Sequence, residues 1–182
     1  MRRSTEAAGL LVPPRADPVA WSQRLDRWAR ALTLAAAGLI VVGGYEHFCL
    51  YRHGYRFIPK IGPSFVLQFT SSVAVAAALV FGSGRVSAGG WRVSLAPLAR
   101  LAGIGLALGT LGALAIAHTP GGLFAFREFG LKPAPQTLIT VVVEWEAAMF
   151  LALAMVCTHV AVGLSRSDRD VQTGRTHLSD AA

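Results

Sequence analysis

The sequence predicts an all-α integral membrane protein, a four-helix bundle with both termini in the cytoplasm. Hydrophobic residues make up 53% of the 182-residue chain and charged residues only 15%, against about 25% charged residues in soluble domains. The hydrophobic residues form four runs, and each is long enough to approach the roughly 20 residues that cross a bilayer. Lys and Arg are distributed unevenly between the segments that flank these runs, which predicts the direction of the crossings.

The four predicted spans cover about residues 28–50, 63–81, 97–117 and 137–164. Two of them contain proline in the first turn, Pro63 and Pro97, where the missing N–H costs no hydrogen bond. The runs are too long and too uniform for strands, and they lack the strict alternation of a transmembrane barrel. Helices are therefore expected, because they satisfy their own backbone polar groups within lipid.

The distribution of basic residues predicts the topology. The N-terminal segment, the loop between spans two and three, and the C-terminal tail carry twelve of the 17 Lys and Arg residues, and the two other loops carry five. Loops rich in Lys and Arg stay in the cytoplasm. We therefore expect both termini inside, with the net charge of +7 reflecting topology and attraction to anionic lipid.

The first 27 residues are expected to form a cytoplasmic segment, 1–27, that begins without regular structure. Asp17 followed by Pro18 is typical of a helix start. Large apolar side chains then recur at helical spacing from Trp21 to Trp28, with arginines between them. This pattern predicts an amphipathic helix that lies on the inner membrane surface and leads into span one.

The membrane domain is assigned to residues 28–164, and residues 165–182 are expected to form an unstructured cytoplasmic tail. The inner loop, 82–94, is rich in Gly and Ser and is expected to be flexible. The lipid bilayer is the predicted partner, with further membrane proteins or a second copy of the chain as possible neighbours. Nucleic acid is not expected, because no stripe of basic residues or known binding motif is present.

The sequence contains none of the short motifs that identify common enzymes. No Gly-rich phosphate loop, nucleophile elbow or H-E-x-x-H motif is present. The two cysteines are too few for a disulfide scaffold or a four-cysteine zinc site. A non-enzymatic protein is therefore favoured, and no cofactor is favoured.

Small residues are expected to mediate helix packing, because lipid provides no hydrophobic drive for helices to associate. Span three contains Gly105 and Gly109, four residues apart on one helix face. We predict that these two glycines lie in a contact between helices.

Ionisable residues within a membrane are costly and are usually functional. Five of them are expected at a similar depth near the outer face: Glu46 and His47 in span one, His118 at the end of span three, and Glu144 and Glu146 in span four. Glu144 and Glu146 point about 200° apart on a helical wheel. Glu144 lies on the face with the smaller side chains, so we assign it to the interior.

Three interpretations of this cluster are open. Glu144 could lie at the headgroups and pair with Arg52, Arg56 or Arg127. The cluster could instead form a proton or ion path or a small-ligand pocket, with His47 as a relay. A third interpretation is a divalent metal or haem site that uses His47, His118 and Glu144.

The loop between the first two spans carries four turn-forming residues, Gly54, Pro59, Gly62 and Pro63. This stretch resembles a pattern in small four-span membrane proteins of actinobacteria, where a span-one histidine precedes a Gly-Tyr-Arg-x-Ile-Pro-x-Ile-Gly-Pro turn. Here the histidine is His47. The resemblance implies a four-span protein of the bacterial plasma membrane and gives weight to His47 and the turn, but it implies no activity.

Three functions are therefore considered. The first is an accessory or binding component, or a small transporter, with an outward-facing cluster of Glu and His. The second is a haem- or metal-dependent membrane redox protein built on His47, His118 and Glu144. The third is a structural subunit of a larger membrane complex.

Overall fold

Four long helices account for most of the computed structural model, which describes residues 18–82, 85–88, 91–130 and 134–179. The helices are α1 (Pro18–Arg52), α2 (Ile61–Phe81), α3 (Leu95–Ala117) and α4 (Gln136–Ser179). Each is long and apolar enough to cross a membrane, so the four predicted apolar helices are confirmed. The predicted unstructured start of the chain and the N-cap at Asp17 lie outside the described residues.

The first helix is longer than its predicted span. Its 35 residues run without a break from Pro18 to Arg52, a length of about 52 Å at 1.5 Å per residue. The amphipathic segment around Trp21 and Trp28 is therefore not a separate surface helix, and both tryptophans are exposed. Extending an existing helix by one residue costs much less than nucleating a new one, and no Gly or Pro interrupts the sequence before Gly38.

The last helix also exceeds its predicted span. The structure differs from the predicted unstructured tail, because α4 continues from Gln136 to Ser179. Extending α4 by one residue costs much less than starting a new helix, so the helix continues into the segment that was predicted to be unstructured. Residues 180–182 lie outside the described part of the chain.

A β-hairpin replaces the predicted flexible loop between α2 and α3. Strand β1 (Arg85–Ala88) pairs antiparallel with β2 (Trp91–Ser94). Val86 and Val93 are partners in this register, and β-branched residues favour strands. The high Gly and Ser content of the segment hides this short pairing from a reading of composition alone.

The turn between α1 and α2 lies at the other end of the bundle. Gly54 has a φ of +125° and precedes a short 3-10 helix, Tyr55–Phe57, and Pro59 follows in a tight turn. Gly62 lies so close to the backbone of Arg56 that an added Cβ would come within 2.9 Å of its Cα. Pro63 lies in the first turn of α2, as predicted. We call this end of the bundle, together with residues 118–130, the loop end.

Helix α1 is the centre of the bundle. It shares its largest interfaces with α4 and α2 and hardly contacts α3. Ala36 and Ile40 of α1 pack against Ala147 and Leu151 of α4 in the buried core. Small side chains at these positions let the two helices approach closely, which is what association within lipid requires.

Three buried glycines allow the closest contacts between helices. An added Cβ would lie 2.5 Å from Ser72 Cβ at Gly44 and 2.6 Å from Leu151 Cδ1 at Gly103. The third glycine, Gly43, faces Glu144 and is described with the site below.

The two glycines that the sequence assigns to helix packing do not fulfil that role. An added Cβ at Gly105 or Gly109 would meet no atom within 4 Å. Gly103, which does face other helices, lies about 200° around α3 from Gly105. The spacing of glycines identifies a smooth helix face, but it does not identify which neighbour lies against that face.

A half-buried arginine connects three helices far from the loop end. Arg100 of α3 donates to Thr33 of α1 at 3.2 Å and to Thr158 of α4 at 2.8 Å. Arg100 is one of the basic residues counted between spans two and three, and it lies in the second turn of α3. Hydrogen bonds of this kind stabilise contacts between helices in lipid.

The glycine contacts give a direct test of the packing. We expect Gly44→Ala to reduce the stability of the bundle by about 1–3 kcal/mol, because the new methyl group forces α1 away from Ser72. Gly105→Ala is the matched control, and we expect it to leave stability unchanged or raise it by up to about 1 kcal/mol. The midpoint of thermal unfolding in detergent measures both effects. Equal midpoints for the two variants would contradict this packing.

Candidate functional site

An apolar cavity of about 350 Å³ lies at the loop end, between α2 and α3. Residues of all four helices line it, and residues 123–128 cover its outer end. Most of the wall is aliphatic or aromatic. The polar groups on the wall include His47, Gln68, Thr137, Thr140 and Glu128.

The cavity exists because α2 and α3 are less extensively packed than α1 and α4. Gly105 and Gly109 form part of its wall on α3, and they present no side chain that could fill the space. Both glycines are exposed, so this part of the cavity wall is not covered by packed side chains.

His47 is a buried residue that presents a hydrogen-bond acceptor to this cavity. The side chain is only 8% exposed, and its Nδ1 lies 2.8 Å from the carbonyl oxygen of Gly43. A carbonyl oxygen cannot donate, so Nδ1 carries the hydrogen, and Nε2 of the neutral ring is an acceptor. Among the described residues, Nε2 has no partner. The ring of Phe65 packs edge-to-face on the imidazole, with 5.1 Å between the centroids.

Glu144 lies deeper in the bundle and is 1% exposed. It is eight residues from the start of α4, so it lies about 12 Å below the loop end. Gln68 Nε2 donates to its Oε1 at 3.4 Å, and Oε2 has no hydrogen-bond partner. Gly43 makes room for this carboxyl group, because an added Cβ there would lie 2.7 Å from Oε1. The prediction that Glu144 faces the interior is confirmed, and Glu146 is exposed.

The structure does not support the interpretation of Glu144 as a headgroup ion pair. Its hydrogen-bond partner is the amide of Gln68. The guanidinium groups of Arg56 and Arg127 instead lie over aromatic rings, at 4.6 Å from the centroid of Phe57 and 5.1 Å from that of Phe129. These arginines remain at the loop end while the carboxyl group is buried below them.

The predicted cluster is only partly assembled. His47 and Glu144 both contact Gly43. The imidazole of His47 bonds the carbonyl oxygen of Gly43, and the carboxyl group of Glu144 lies next to the position that a Cβ on Gly43 would take. Glu46 is half-buried and is not part of the cavity wall, and His118 is exposed at the end of α3. Across the described residues, no three His, Cys, Asp or Glu side chains form a group that could hold a metal ion. His47, His118 and Glu144 therefore do not form the predicted three-residue set.

His118 instead fastens the segment that covers the cavity. Its Nδ1 lies 2.8 Å from the carbonyl oxygen of Leu114, and its Nε2 lies 2.7 Å from that of Gly130. Two carbonyl acceptors require two N–H donors, so this geometry fits the positively charged imidazolium. These two hydrogen bonds and the nearby charge of Glu128 raise the pKa of His118 above its ordinary value of 6.5.

Residues 119–130, which we call the covering segment, contain a tight turn. Leu123 and Phe126 form an isolated antiparallel bridge through hydrogen bonds of 2.8 and 2.9 Å. The two residues between them, Phe124 and Ala125, have φ values of +52° and +66°. Turns of this kind favour Gly, Asn or Asp, so the sequence gives no local signal for this one. Phe124 lines the cavity, and its ring lies 5.7 Å from the ammonium group of Lys60.

Glu128 is a cavity residue that the sequence analysis did not single out. Burial raises the pKa of its carboxyl group, and the nearby His118 and Tyr55 oppose that shift. Its Oε2 is buried without a partner. Burial, together with the charge and a hydrogen bond of Glu128, raises the pKa of the Tyr55 hydroxyl. A loop carboxylate eleven residues from the end of α3 carries no pattern that would identify it in advance.

No protein-family model, curated protein or solved structure matches this chain. The interpretation of the cavity therefore comes from its own residues.

The two bonds of His118 predict how the covering segment responds to pH. Because the pKa of His118 is raised, its stabilising effect is fully present below pH 6.5 and is lost as pH rises through the raised value. Ionisation of the half-buried Glu128 acts in the same direction, since partial burial raises the pKa of its carboxyl group. We expect the hydrogen-exchange protection factors of amides in residues 119–130 to fall as the pH is raised from about 6 to about 8.5.

The variant His118→Gln distinguishes the effect of His118 on this pH dependence from the effect of Glu128. This variant is expected to lose most of the dependence around neutral pH, whereas His53→Gln is expected to retain it. His53 is a suitable control because it is exposed at the same end and bonds a single carbonyl oxygen, that of Cys49. An unchanged pH dependence in His118→Gln would show that His118 does not hold this segment.

Proposed function

We propose that this chain is a multi-pass protein of the bacterial plasma membrane that binds a small, membrane-soluble molecule, as an accessory binding component or a small transporter. The cavity is the observation that carries this proposal. Its volume of about 350 Å³ falls within the range of about 300–1,000 Å³ that is usual for small-molecule sites. A mainly apolar wall with a few polar groups is also typical of such sites.

The position of the cavity supports entry from lipid. Gly109 lies eight residues before the end of α3, or about 12 Å below the loop end. In a hydrocarbon core about 30 Å thick, the exposed side of the cavity would face acyl chains. A molecule that partitions into the membrane could then enter beside Gly105 and Gly109 without passing through the covering segment.

The topology belongs to the same proposal. Both termini would lie in the cytoplasm together with the β-hairpin, and the loop end would lie outside. The excess of Lys and Arg in the segments assigned to the inside supports this direction. The excess of Lys and Arg remains when Arg100, which lies within α3, is left out of the count.

Reporter fusions test the topology. We expect a reporter that is active only in the cytoplasm to function when it is inserted between the strands of the hairpin or placed after residue 167. A reporter that is active only outside should function when it is inserted after Gly121. Activity of the external reporter at the hairpin would contradict the proposed direction and place the cavity in the inner half of the membrane.

Filling the cavity tests the binding function. Gly109→Leu adds a side chain where an added Cβ meets no atom within 4 Å, so we expect the helix to tolerate it while the cavity is lost. The amount of lipophilic small molecule that co-purifies should fall about tenfold or more, which corresponds to a loss of about 1.4 kcal/mol or more in binding. Native mass spectrometry and analysis of an organic extract measure this amount.

Gly38→Leu is the matched control. Gly38 is an exposed helical glycine of α1 that also has free space at its Cβ, and it is not part of the cavity wall. This variant is expected to retain the small molecule at the level of the unmodified protein. Equal retention in the Gly109 and Gly38 variants would contradict binding in this cavity.

A further inference from the structure

We infer that the molecule bound in the cavity is a neutral lipophilic alcohol or phenol, whose hydroxyl group donates a hydrogen bond to Nε2 of His47. This inference rests on the proposed function, because it names the class of ligand for the same cavity. Its starting observation is a histidine that is more than nine-tenths buried, lies on the cavity wall and has one free ring nitrogen.

The bond from Nδ1 to Gly43 fixes which kind of group His47 can bind. With Nδ1 donating to the carbonyl oxygen, Nε2 presents a lone pair to the cavity. An acceptor that faces an apolar cavity without a donor is costly, and most polar groups of buried side chains in folded proteins are hydrogen-bonded. A ligand that donates a hydrogen bond at this position removes that cost, whereas a ligand with only acceptor atoms leaves it in place.

The surroundings of His47 favour a neutral donor over an ion. An ionised carboxylate or a phosphodiester has no hydrogen to donate to Nε2, and the loop cations Lys60 and Arg127 lie over aromatic rings. An ammonium group beside His47 would need an accessible carboxylate, but Glu144 is not part of the cavity wall and Oε2 of Glu128 is buried. Moving a bare charge into an apolar space is far more costly than moving a hydroxyl group.

Other groups on the wall suit the oxygen of a hydroxyl. Thr137 and Thr140 line the cavity on α4, and their hydroxyl groups can donate to an oxygen lone pair. A ligand hydroxyl can therefore donate to His47 and accept from a threonine, and an alcohol or phenol combines both properties in one atom. An ether or ester accepts but cannot donate.

The rest of the wall fits an apolar body. Phe65 lies between His47 and Tyr55, with centroid distances of 5.1 Å to each ring. Phe126 of the covering segment extends this aromatic surface, 5.8 Å from Tyr55. Burial of an alkyl chain or an aromatic ring against these side chains would supply the general affinity, and the hydroxyl would supply the orientation.

A matched pair of probes tests the inference. The compounds 4-octylphenol and 4-octylanisole share an apolar body, but only the phenol has a hydrogen to donate. Their affinities for the purified full-length protein in lipid nanodiscs are obtained from the rise in the unfolding midpoint with probe concentration. We expect the phenol to bind about tenfold more tightly than the anisole, as one hydrogen bond to a buried acceptor predicts.

Three variants assign this difference to His47. In His47→Phe, which preserves an apolar ring, the ratio of the two affinities should fall to about one while both probes still bind. In the control His53→Phe, the tenfold ratio should remain, because His53 lies outside the cavity wall. In Gly109→Leu, binding of both probes should be lost.

An NMR measurement on the unmodified protein tests the same contact and does not require the His47→Phe variant to fold. In protein labelled with ¹⁵N-histidine, the Nε2 resonance of His47 should shift when 4-octylphenol is added, and it should not show this shift with 4-octylanisole.

The outcomes separate the two proposals. Equal affinities for the probes in the unmodified protein, with both lost in Gly109→Leu, would overturn the hydroxyl inference and leave binding in the cavity intact. Absence of binding by both probes would overturn this inference, whereas the proposed function would still be judged by the co-purified molecule. A tenfold ratio that persists in His47→Phe would also overturn the assignment to His47.

Discussion

The close approach of α1 to two other helices at Gly43 and Gly44 is the contact on which the rest of the bundle depends. Lipid does not drive helices together as water does, so they associate where their backbones can approach and their polar groups can pair. Adjacent residues of a helix point about 100° apart. Gly44 therefore admits α2 at Ser72, while Gly43 admits the carboxyl group of Glu144 from α4. The remaining pair, α2 and α3, meets less extensively, and the cavity forms there.

The same contact determines the chemistry of the cavity wall. The carbonyl group of Gly43 accepts from Nδ1 of His47 and so leaves Nε2 as the acceptor that faces the cavity. Far from the loop end, Arg100 joins α3 to Thr33 of α1 and Thr158 of α4 by hydrogen bonds. Polar contacts therefore connect α3 to α1 and α4, whereas the cavity lies between α2 and α3.

The sequence predicts those features that depend on local properties of the chain. Hydropathy identifies the four helices, and the wheel places Glu144 inside, because both arguments need only the residues of one segment. The roles of Gly105 and His118 could not be predicted in this way. Whether a small residue packs against a helix or borders a cavity depends on its neighbours in space. Whether a helix-end histidine turns inward or fastens a loop depends on the path of that loop.

The conformation of the covering segment is the feature of the site for which the sequence gives the least indication. Its turn holds Phe124 and Ala125 in left-handed conformations, which non-glycine residues adopt at a cost of order 1–3 kcal/mol each. That cost is offset by contacts with the rest of the loop end, such as the two bonds of His118 and the position of Lys60 over Phe124. A segment held by a few polar contacts rather than by a packed core opens at low cost. In the proposed binding function, this segment would adjust to a ligand with the least disturbance of the four helices.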